Sequence, residues 1–332
     1  MNEFALIQRY FKRPPRHAAD VPLSIGDDCA LVVAREGTEF AISTDMLVAG
    51  THFLADVNPR TLGHKVLAVN LSDLAAMGAV PRYATLAASL PSADEAWIAE
   101  FAAGFFALAE RFEVDLIGGD TTRGPMNFCV TIFGEAPRGQ AIRRSGAHPG
   151  DDLWVSHAHG HGLGGAALGL AWLQRRAPWL SEAQGRAAQA LLETPQPRVG
   201  LGCRLRGVAS AMLDLSDGLA GDVGHLARAS SSDAQPLAAA LDLAAIPLFG
   251  PLHARTRDEA LRFALSGGDD YELCFTAPRA ARDQVLSAAQ AEELGVSRVG
   301  EMVAAKLNTD AVLALDASGN LSPLSFSGYQ HF

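Results

Sequence analysis

The chain has 332 residues, of which 48% are hydrophobic and 19% are charged, and its 27 basic and 37 acidic side chains give a net charge of −10. A chain this long and this apolar can bury a large core, which excludes an intrinsically disordered protein and favours two domains. The acidic balance argues against a general nucleic-acid-binding protein, which would present a basic face.

The amino-terminal stretch MNEFALIQRYFKRPPRH has neither an uninterrupted apolar segment nor a small-residue cleavage site, so it is not expected to be a secretory signal. No charge-free apolar run approaches the ~20 residues that a membrane-spanning helix needs. The cysteines are Cys29, Cys129, Cys203 and Cys274, and no two of them form a CxxC pair. We therefore expect reduced thiols in a cytoplasmic protein rather than a disulfide framework or a zinc site.

The first part of the chain alternates between strand-like and helix-like stretches. β-Branched residues predict strands, apolar residues at helical spacing predict helices, and Asp94 with Glu95 marks a helix start. The predicted strands are 29–33, 40–44, 82–90, 115–117 and 127–134, and the predicted helices are 59–77 and 93–112. The inner stripe of the first helix is expected to be Val66, Val69, Leu74 and Met77.

A segment rich in glycine, proline and arginine, residues 136–151, separates this region from a second one. After it we predict strands at 153–156, 211–215, 272–276, 297–301 and 312–315, and helices at 165–176, 181–193, 198–209, 219–229 and 279–291. The sequence thus predicts two α/β domains, residues 1–140 and 141–332.

Five separated segments set aspartate among glycine, serine or threonine. They are GDDCA, STD, GGDTT, DLSDG and SGGDD, which begin at residues 26, 43, 118, 214 and 266. Carboxylates are hard oxygen ligands, and small residues let the backbone approach an anion closely. Because so many acids share one cleft only when cations neutralise them, the segments together predict one magnesium–polyphosphate site built from both domains.

Each segment alone also has an ordinary structural explanation. Gly-Asp is common in turns, and Ser216 or Asp217 would serve as the N-cap of the helix that follows. The sharpest signal is the predicted strand end at Gly118 and Gly119, since a plain turn needs neither the acid nor the threonines after it; it is typical of a backbone-amide nest for phosphate. Asp73 stands out because a carboxylate on a buried helix costs several kcal/mol unless it is paired or metal-bound.

The STD segment is expected to join the same site. Ser43, Thr44 and Asp45 end a predicted strand, where three oxygen-bearing side chains would face one cation; a turn or helix cap is the alternative. Other motifs carry less weight. The G-x-G-x-x-G match at 160–165 is followed by no acidic strand, and the HAHGH run at 157–161, which would share one face of a strand, has no nearby glutamate or cysteine to complete a zinc site.

In chain order, nine motifs resemble those of the thiamine-monophosphate kinase family, which belongs to the aminoimidazole ribonucleotide synthetase-like ATP-binding superfamily. They are IGDDCAL, STDMLVAGTHF, HKVLAVNLSDLAAMGA, LIGGDTTRGP, RRSGAHPGD, TPQPRVGLG, LDLSDGL, LSGGDDYELCF and SGYQHF, and they span essentially the whole chain. The resemblance implies a two-domain α/β (α+β) fold whose N-terminal sheet domain forms a homodimer interface. It also implies that ATP and several magnesium ions lie near that interface.

The resemblance further implies a role for individual residues. Metal ligation falls to Asp28, Ser43, Thr44, Asp45, Asp73, Asp120, Asp214 and Asp217. Gly119, Asp120, Arg144 and Ser216 fall where the family contacts ATP, and His52, Asp269 and Phe326 fall where it contacts thiamine monophosphate. The chain departs from the family pattern twice: Asp269 replaces the more usual glutamate, and HAHGHGLGG replaces a TGTPGDSAAG-like loop.

The implied reaction transfers the ATP γ-phosphoryl group to thiamine monophosphate and gives thiamine diphosphate and ADP. The acceptor is a phosphate monoester with a second pKa of about 6, so its attacking oxygen is already ionised at neutral pH and no catalytic base is expected. Repulsion between two polyanions is the obstacle, which magnesium and Arg144 would offset.

Four other functions remain as alternatives. A selenophosphate synthetase would carry a reactive cysteine before Cys29, and a hydrogenase-maturation protein would end in a cysteine instead of Phe332. An aminoimidazole ribonucleotide synthetase would show different motifs. A non-catalytic nucleotide or thiamine-phosphate sensor would keep the same ligands and not turn over.

Overall fold

The computed structural model describes residues 3–159, 161–306, 309–316, 318–324, 326 and 328. Its contacts divide the chain into two compact units: the first holds the residues up to Leu74 and Ala79–Ala141, and the second holds Ala75–Gly78 and the residues from Ile142 onward. Each unit builds its own sheet and packs helices on it, so the predicted mixed α/β class is confirmed. Within the described ranges, no helix has the length and apolar character needed to cross a membrane.

The first unit is built on a four-stranded sheet. Its helices are α1 (Glu3–Leu6), α2 (Pro59–Ala76, whose last two residues belong to the second unit) and α3 (Glu95–Arg111), and its strands are β1 (Thr38–Val48), β2 (Val80–Leu90), β3 (Asp115–Arg123) and β4 (Asn127–Pro137). The strand order is β1-β4-β2-β3, and only the β2–β3 pair is parallel. A π-helical turn, Ile7–Phe11, follows α1.

Helices α2 and α3 meet each other closely because each carries a glycine at the crossing. A Cβ on Gly63 would lie 2.0 Å from the Phe101 carbonyl oxygen, and a Cβ on Gly104 would lie 1.8 Å from the Arg60 carbonyl oxygen. Phe101 in turn stacks on Phe128 of β4 with 4.5 Å between ring centroids. The two helices therefore seal one face of the sheet, and α2 is buried over most of its circumference.

Most predicted elements of this unit are present, with one clear error. Val66, Val69 and Leu74 are buried as predicted, whereas Met77 lies just beyond the end of α2 and is half-buried. The strand predicted at 29–33 is wrong: only an isolated bridge from Leu23 to Leu31 forms there. β-Branched residues favour a strand only where their side chains pack on a neighbouring strand, and this segment does not pair with one beyond that single bridge.

The second unit is built on a seven-stranded sheet in the order β11-β10-β7-β9-β5-β8-β6, in which only the β7–β10 pair is parallel. Its strands are β5 (Asp152–Ala158), β6 (Ala211–Asp214), β7 (Leu237–Asp242), β8 (Leu273–Ala277), β9 (Leu294–Ala304), β10 (Val312–Leu315) and β11 (Leu321–Pro323). Its helices are α4 (Gly165–Leu173), α5 (Glu182–Glu193), α6 (Val199–Arg204), α7 (Leu219–Ser230), α8 (Arg257–Ser266) and α9 (Arg282–Ala291). The sequence did not predict β7, α8 or β11, and it made α6 too long.

The antiparallel pairing of β6 with β8 sets the geometry that matters for function. Asp214, the last residue of β6, lies opposite Leu273, the first residue of β8. The loop that leaves β6 and the loop that enters β8 therefore run side by side. These loops contain the DLSDG and SGGDD segments.

Candidate active site

A cavity of about 480 Å³ in the first unit brings two acidic segments together. Asp28 lines it from the first segment, and Gly119 and Asp120 line it from the third. Apolar side chains from the amino-terminal turn, from the segment around Asp28 and from β2 and β3 form the remaining wall: Ile7, Phe11, Ile25, Leu86, Leu116 and Ile117. A cavity of this size with an apolar wall and a few polar groups is typical of a small-molecule site.

The GGDTT segment lies on an edge strand, and the predicted strand end at Gly118 and Gly119 is wrong. Strand β3 continues to Arg123, and its register against β2 shifts between Ala84 and Thr85, as in a β-bulge. Gly119 has φ +143°, and a Cβ there would lie 1.9 Å from the Leu86 carbonyl oxygen. The glycines therefore let the strand kink beside its neighbour without ending, and Asp120 follows the kink on an exposed position.

A second group of candidates lies where β1 faces α2. The Ser43 hydroxyl donates a hydrogen bond to Asp73 Oδ2, and the Asp45 amide donates to Asn70 Oδ1 at 3.2 Å. Burial, and then the nearby Asp73 carboxylate, raises the pKa of Asp45 to about 6. Two carboxylates thus approach each other in a partly desolvated gap, which favours a cation between or beside them.

The expectation that three neighbouring side chains face one cation is wrong for Thr44. Successive side chains of a strand point to opposite faces, so Thr44 points away from Ser43 and Asp45. Its hydroxyl lies 2.9 Å from that of Thr131 on the exposed face of the sheet. A metal-binding role for Thr44 would therefore fall to its main-chain carbonyl oxygen.

His52 lies in the turn that follows β1. Its Nδ1 accepts a hydrogen bond of 3.0 Å from the Val48 amide, and its carbonyl oxygen accepts one of 3.3 Å from Lys65 Nζ. Because Nδ1 is an acceptor, the neutral ring carries its proton on Nε2. The sequence thus places a histidine with a defined tautomer at the carboxyl end of the strand that bears Asp45.

The candidates of the first unit do not form one compact cluster. Asp45 and Asp120 lie on the two edge strands, β1 and β3, which are separated by three inter-strand spacings, roughly 14 Å. Among the described residues, no three histidine, cysteine, aspartate or glutamate side chains come close enough to hold a metal ion by themselves. The structure therefore joins Asp28 to Asp120 at the cavity and Ser43 to Asp45 and Asp73 at α2.

In the second unit, main-chain hydrogen bonds join the DLSDG and SGGDD segments. The Asp269 amide donates to the Ser216 carbonyl oxygen at 2.8 Å, and the Tyr271 amide donates to the Leu215 carbonyl oxygen at 2.8 Å. Asp214 is buried at the end of β6 in the same place. Three of the predicted metal or ATP residues, Asp214, Ser216 and Asp217, and the predicted substrate residue Asp269 are thus brought together.

The start of α7 is organised by an acid that the sequence did not single out. Gly218, with φ +99°, is the N-cap, so the alternative of a cap by Ser216 or Asp217 is wrong. Instead, the Asp222 carboxylate accepts hydrogen bonds from the amides of Asp217, at 3.1 Å, and of Ser216. Burial chiefly raises the pKa of Asp222 to about 7, and the nearby Arg144 guanidinium acts in the opposite direction.

Arg144 belongs to a positively charged region beside this turn. Its carbonyl oxygen accepts a hydrogen bond of 3.3 Å from the Ser230 hydroxyl at the end of α7, which fixes the backbone that carries it. Burial lowers the pKa of His225, and the positive charges of Arg228 and Arg144 lower it further. An anion is the ligand that such a group of arginines favours.

The last described residues cross the start of α7. Gly328 packs so closely on Gly221 that a Cβ on Gly328 would lie 2.8 Å from the Gly221 Cα. The Phe326 ring lies near α8, with the Arg262 guanidinium carbon 5.7 Å from the ring centroid. Of the SGYQHF motif, residues 327–332, Gly328 is the one that lies within the described residues.

Sequence reasoning also missed the buried pair behind this site. Glu272 accepts hydrogen bonds from Arg198 Nε at 2.7 Å and from the Ser156 hydroxyl at 2.5 Å. The sequence feature that could have indicated this pair is Arg198 in the TPQPRVGLG motif.

The HAHGH run does not share one face of a strand as its alternating pattern predicts, because β5 ends at Ala158. Only His157 lies on the strand, where its Nε2 is 3.1 Å from the Ser297 hydroxyl oxygen.

Comparison with known proteins gives consistent results. Residues 26–136 match the model of the family described as AIR synthase related protein, N-terminal domain. The chain is 45% identical to the thiamine-monophosphate kinase of Escherichia coli (strain K12) over 339 aligned positions, which cover 99% of this chain and 98% of that one.

Solved structures give the same result. The crystal structure of thiamine-monophosphate kinase from Stenotrophomonas maltophilia K279a aligns with a TM-score of 0.81 and 42% identity over 96% of both chains. The structure of AaThiL complexed with AMPPCP and TMP aligns with a TM-score of 0.75 and 25% identity over 90% of this chain and 89% of that one.

Proposed function

Because this chain belongs to the thiamine-monophosphate kinase family and transfers a phosphoryl group from ATP to thiamine monophosphate, we propose that the acids described above hold its substrates and metal ions. The observation that carries this proposal is the cavity that joins Asp28 to Gly119 and Asp120. The products are thiamine diphosphate and ADP.

ATP is the ligand that we assign to this cavity. The apolar wall suits a nucleoside, and the close backbone at Gly119 leaves room for phosphate beside Asp120. In the second unit, Arg144 and the Ser216 hydroxyl are the groups that we assign to ATP phosphates. The amides of Ser216 and Asp217 bind Asp222 and so serve to shape the turn.

The donor set fits Mg²⁺. Asp45 and Asp73 supply two carboxylates whose mutual repulsion a divalent cation would relieve. Mg²⁺ is usually held by one or two carboxylates with water and substrate phosphate completing an octahedron, so a ready-made cage of three acids is not required. We assign the metal ligands to Asp28, Ser43, Thr44, Asp45, Asp73, Asp120, Asp214 and Asp217. When bound, the ions neutralise charge on the transferring phosphoryl group.

No side chain needs to act as a base. The attacking phosphate oxygen of thiamine monophosphate is ionised at neutral pH, because the second pKa of a phosphate monoester is about 6. The protein therefore contributes positions and charge: Arg144 offsets the repulsion of two polyanions, and fixed ligands align donor and acceptor. We assign His52, Asp269 and Phe326 to thiamine monophosphate, with the Phe326 ring suited to stack on one of its heterocycles.

We further propose a homodimer through the exposed face of the four-stranded sheet. Ile42 and Met46 on β1 are 60% and 55% exposed, and β4 places half-buried Phe133 and Cys129 beside them. Exposed apolar rows of this kind mark association surfaces. The four cysteines form no disulfide, which suits the reducing cytoplasm that we assign as the compartment.

The test is an assay with ATP, MgCl₂ and thiamine monophosphate, scored for thiamine diphosphate, with binding of a fluorescent ATP analogue measured in parallel. Asp28→Asn and Asp120→Asn are expected to lower turnover at least about a hundredfold, and Asp56→Asn, an exposed acid outside the cavity, serves as the control. Wild-type protein that binds the analogue without forming product would instead indicate a nucleotide sensor. Near-wild-type turnover in both variants would remove the cavity from the active site.

A further inference from the structure

The loop that carries Asp269 has an unusual backbone. Asp269 and Tyr271 both lie in the left-handed region, with φ of 61° and 47°. This region is uncommon for residues other than glycine, and a bulky side chain such as tyrosine is a genuine outlier there. Such conformations persist only where the surrounding structure holds them, and they cluster at functional sites.

Main-chain bonds hold the loop from one side. The amides of Asp269 and Tyr271 donate to the carbonyl oxygens of Ser216 and Leu215, and the Leu215 amide donates to the Glu272 carbonyl oxygen, each at 2.8 Å. These bonds fix the position of the loop relative to the residues that precede α7. None of them involves Asp270, which lies between the two left-handed residues and is held instead through its side chain.

The Asp270 side chain makes a second set of contacts that fixes the loop. Both of its carboxylate oxygens lie 3.0 Å from the Gly164 amide, and the Ala166 amide donates to it as well. These amides open α4, whose N-cap residue is glycine and therefore has no side chain to bind them. One carboxyl group thus caps the helix and ties the strained loop to it.

We propose that Asp270 is a positioning residue for the thiamine monophosphate site: by anchoring the strained loop to the start of α4 it aims the neighbouring Asp269 carboxylate at the substrate. This inference rests on the proposed role of Asp269. It also gives a function to the loop around Gly164, which differs from the family pattern. Gly164 contributes its amide to this anchor, independently of the histidines that precede it.

Charge alone does not explain the arrangement. Asp269 and Glu272 are the acids whose charges act on Asp270, and Glu272 is itself paired with Arg198. Burying a third acid here costs free energy. If the side chain only filled space, a hydrophobic residue would serve without that cost. The hydrogen bonds to α4 are what the carboxylate adds.

The test is a comparison of three variants by steady-state kinetics in both substrates. Asp270→Asn keeps one acceptor oxygen for the two amides of α4, and we expect it to raise the KM for thiamine monophosphate less than the other two variants do. Asp270→Glu keeps a carboxylate but displaces the loop by one methylene, and Asp270→Ala removes the anchor. We expect the KM for thiamine monophosphate to rise about fivefold and more than about tenfold respectively, with the KM for ATP unchanged, since small misplacements of a binding group have effects of this size.

A double-mutant cycle with Asp269→Ala separates positioning from general stability. If Asp270 acts through Asp269, Asp270→Ala adds nothing to the KM of the Asp269→Ala protein. An equal increase in both backgrounds, or a KM for ATP that rises in parallel, would overturn the inference. If Asp270→Ala fails to fold, the same cycle with Asp270→Glu decides.

Failure of the proposed function is distinguishable from failure of this inference. If Asp269→Ala leaves the KM for thiamine monophosphate unchanged, the substrate assignment of Asp269 is wrong. If Asp269→Ala raises that KM while Asp270→Glu and Asp270→Ala do not, Asp269 stands and the positioning role of Asp270 is wrong.

Discussion

Ser43 donates its hydroxyl hydrogen to Asp73, so a strand and a buried helix meet through a polar contact inside the first unit. Asp73 lies near enough to Asp45 for its charge to act there: burial, and then the charge of Asp73, raises the pKa of Asp45 to about 6. A pair of acids held in this way is poised to bind a cation, and the hydroxyl sets the direction in which one of them points.

Removing that hydroxyl is therefore expected to weaken metal binding. Ser43→Ala should lower Mn²⁺ affinity, measured by electron paramagnetic resonance, about tenfold or more, as is usual when a group that orients a metal ligand is lost. Thr44→Val is the matched control on the same strand, because its side chain lies on the opposite face beside Thr131. Equal losses in the two variants would contradict the assignment, as would no loss in Ser43→Ala.

The exposed face of the four-stranded sheet yields a prediction about assembly. Ile42→Lys places a charge in the apolar row of β1 and is expected to convert a dimer into a monomer, as read by light scattering after size-exclusion chromatography. Leu286→Lys, a half-exposed position on α9 in the second unit, is the control. A wild-type monomer, or an unchanged dimer in Ile42→Lys, would exclude this face as the interface.

The buried pair of Arg198 and Glu272 predicts a large loss of stability. Arg198→Met leaves Glu272 buried without its guanidinium partner, which is expected to lower the free energy of unfolding by about 3–5 kcal/mol in urea denaturation. The exposed pair of Arg186 and Glu182 offers the comparison, and Arg186→Met should change stability by less than about 1 kcal/mol. Similar losses in both variants would show that burial does not decide the outcome.

The sequence predicted which chemical groups form the site better than it predicted the local geometry of those groups. Asp73 was identifiable because an acid on an apolar helix is costly, yet its contact with Ser43 depends on how β1 packs on α2. Gly118 and Gly119 suggested a strand end, although the actual bulge depends on pairing with β2. Those features arise from tertiary neighbours, and no local pattern contains them.

Two acids whose contacts the sequence did not reveal share one physical property. Asp222 and Asp270 bind main-chain amides, and Asp270 does so more than 100 residues away in sequence, at Gly164. A carboxylate that caps a distant helix looks, in sequence, like any other acid in a turn. Its partner is defined only once the strands have paired.

Asp270 finally predicts how stability depends on pH. Burial chiefly raises its pKa to about 8, whereas an aspartate in the unfolded chain has a pKa of about 3.9. Between these values the folded protein holds a proton that the unfolded chain has released, so this group's contribution to stability is fully present below about pH 4 and is lost as the pH rises through about 8. The slope is at most about 1.4 kcal/mol per pH unit.

Asp270→Asn cannot titrate at this position, so the variant should lose less stability than wild type between pH 6 and pH 8. The measurement is urea unfolding of both proteins at several pH values, with the difference in free energy of unfolding plotted against pH. Because Asp222 and Asp45 titrate in both proteins, their contributions cancel in that difference. A difference that stays constant with pH would show that Asp270 is already ionised in the folded protein at neutral pH.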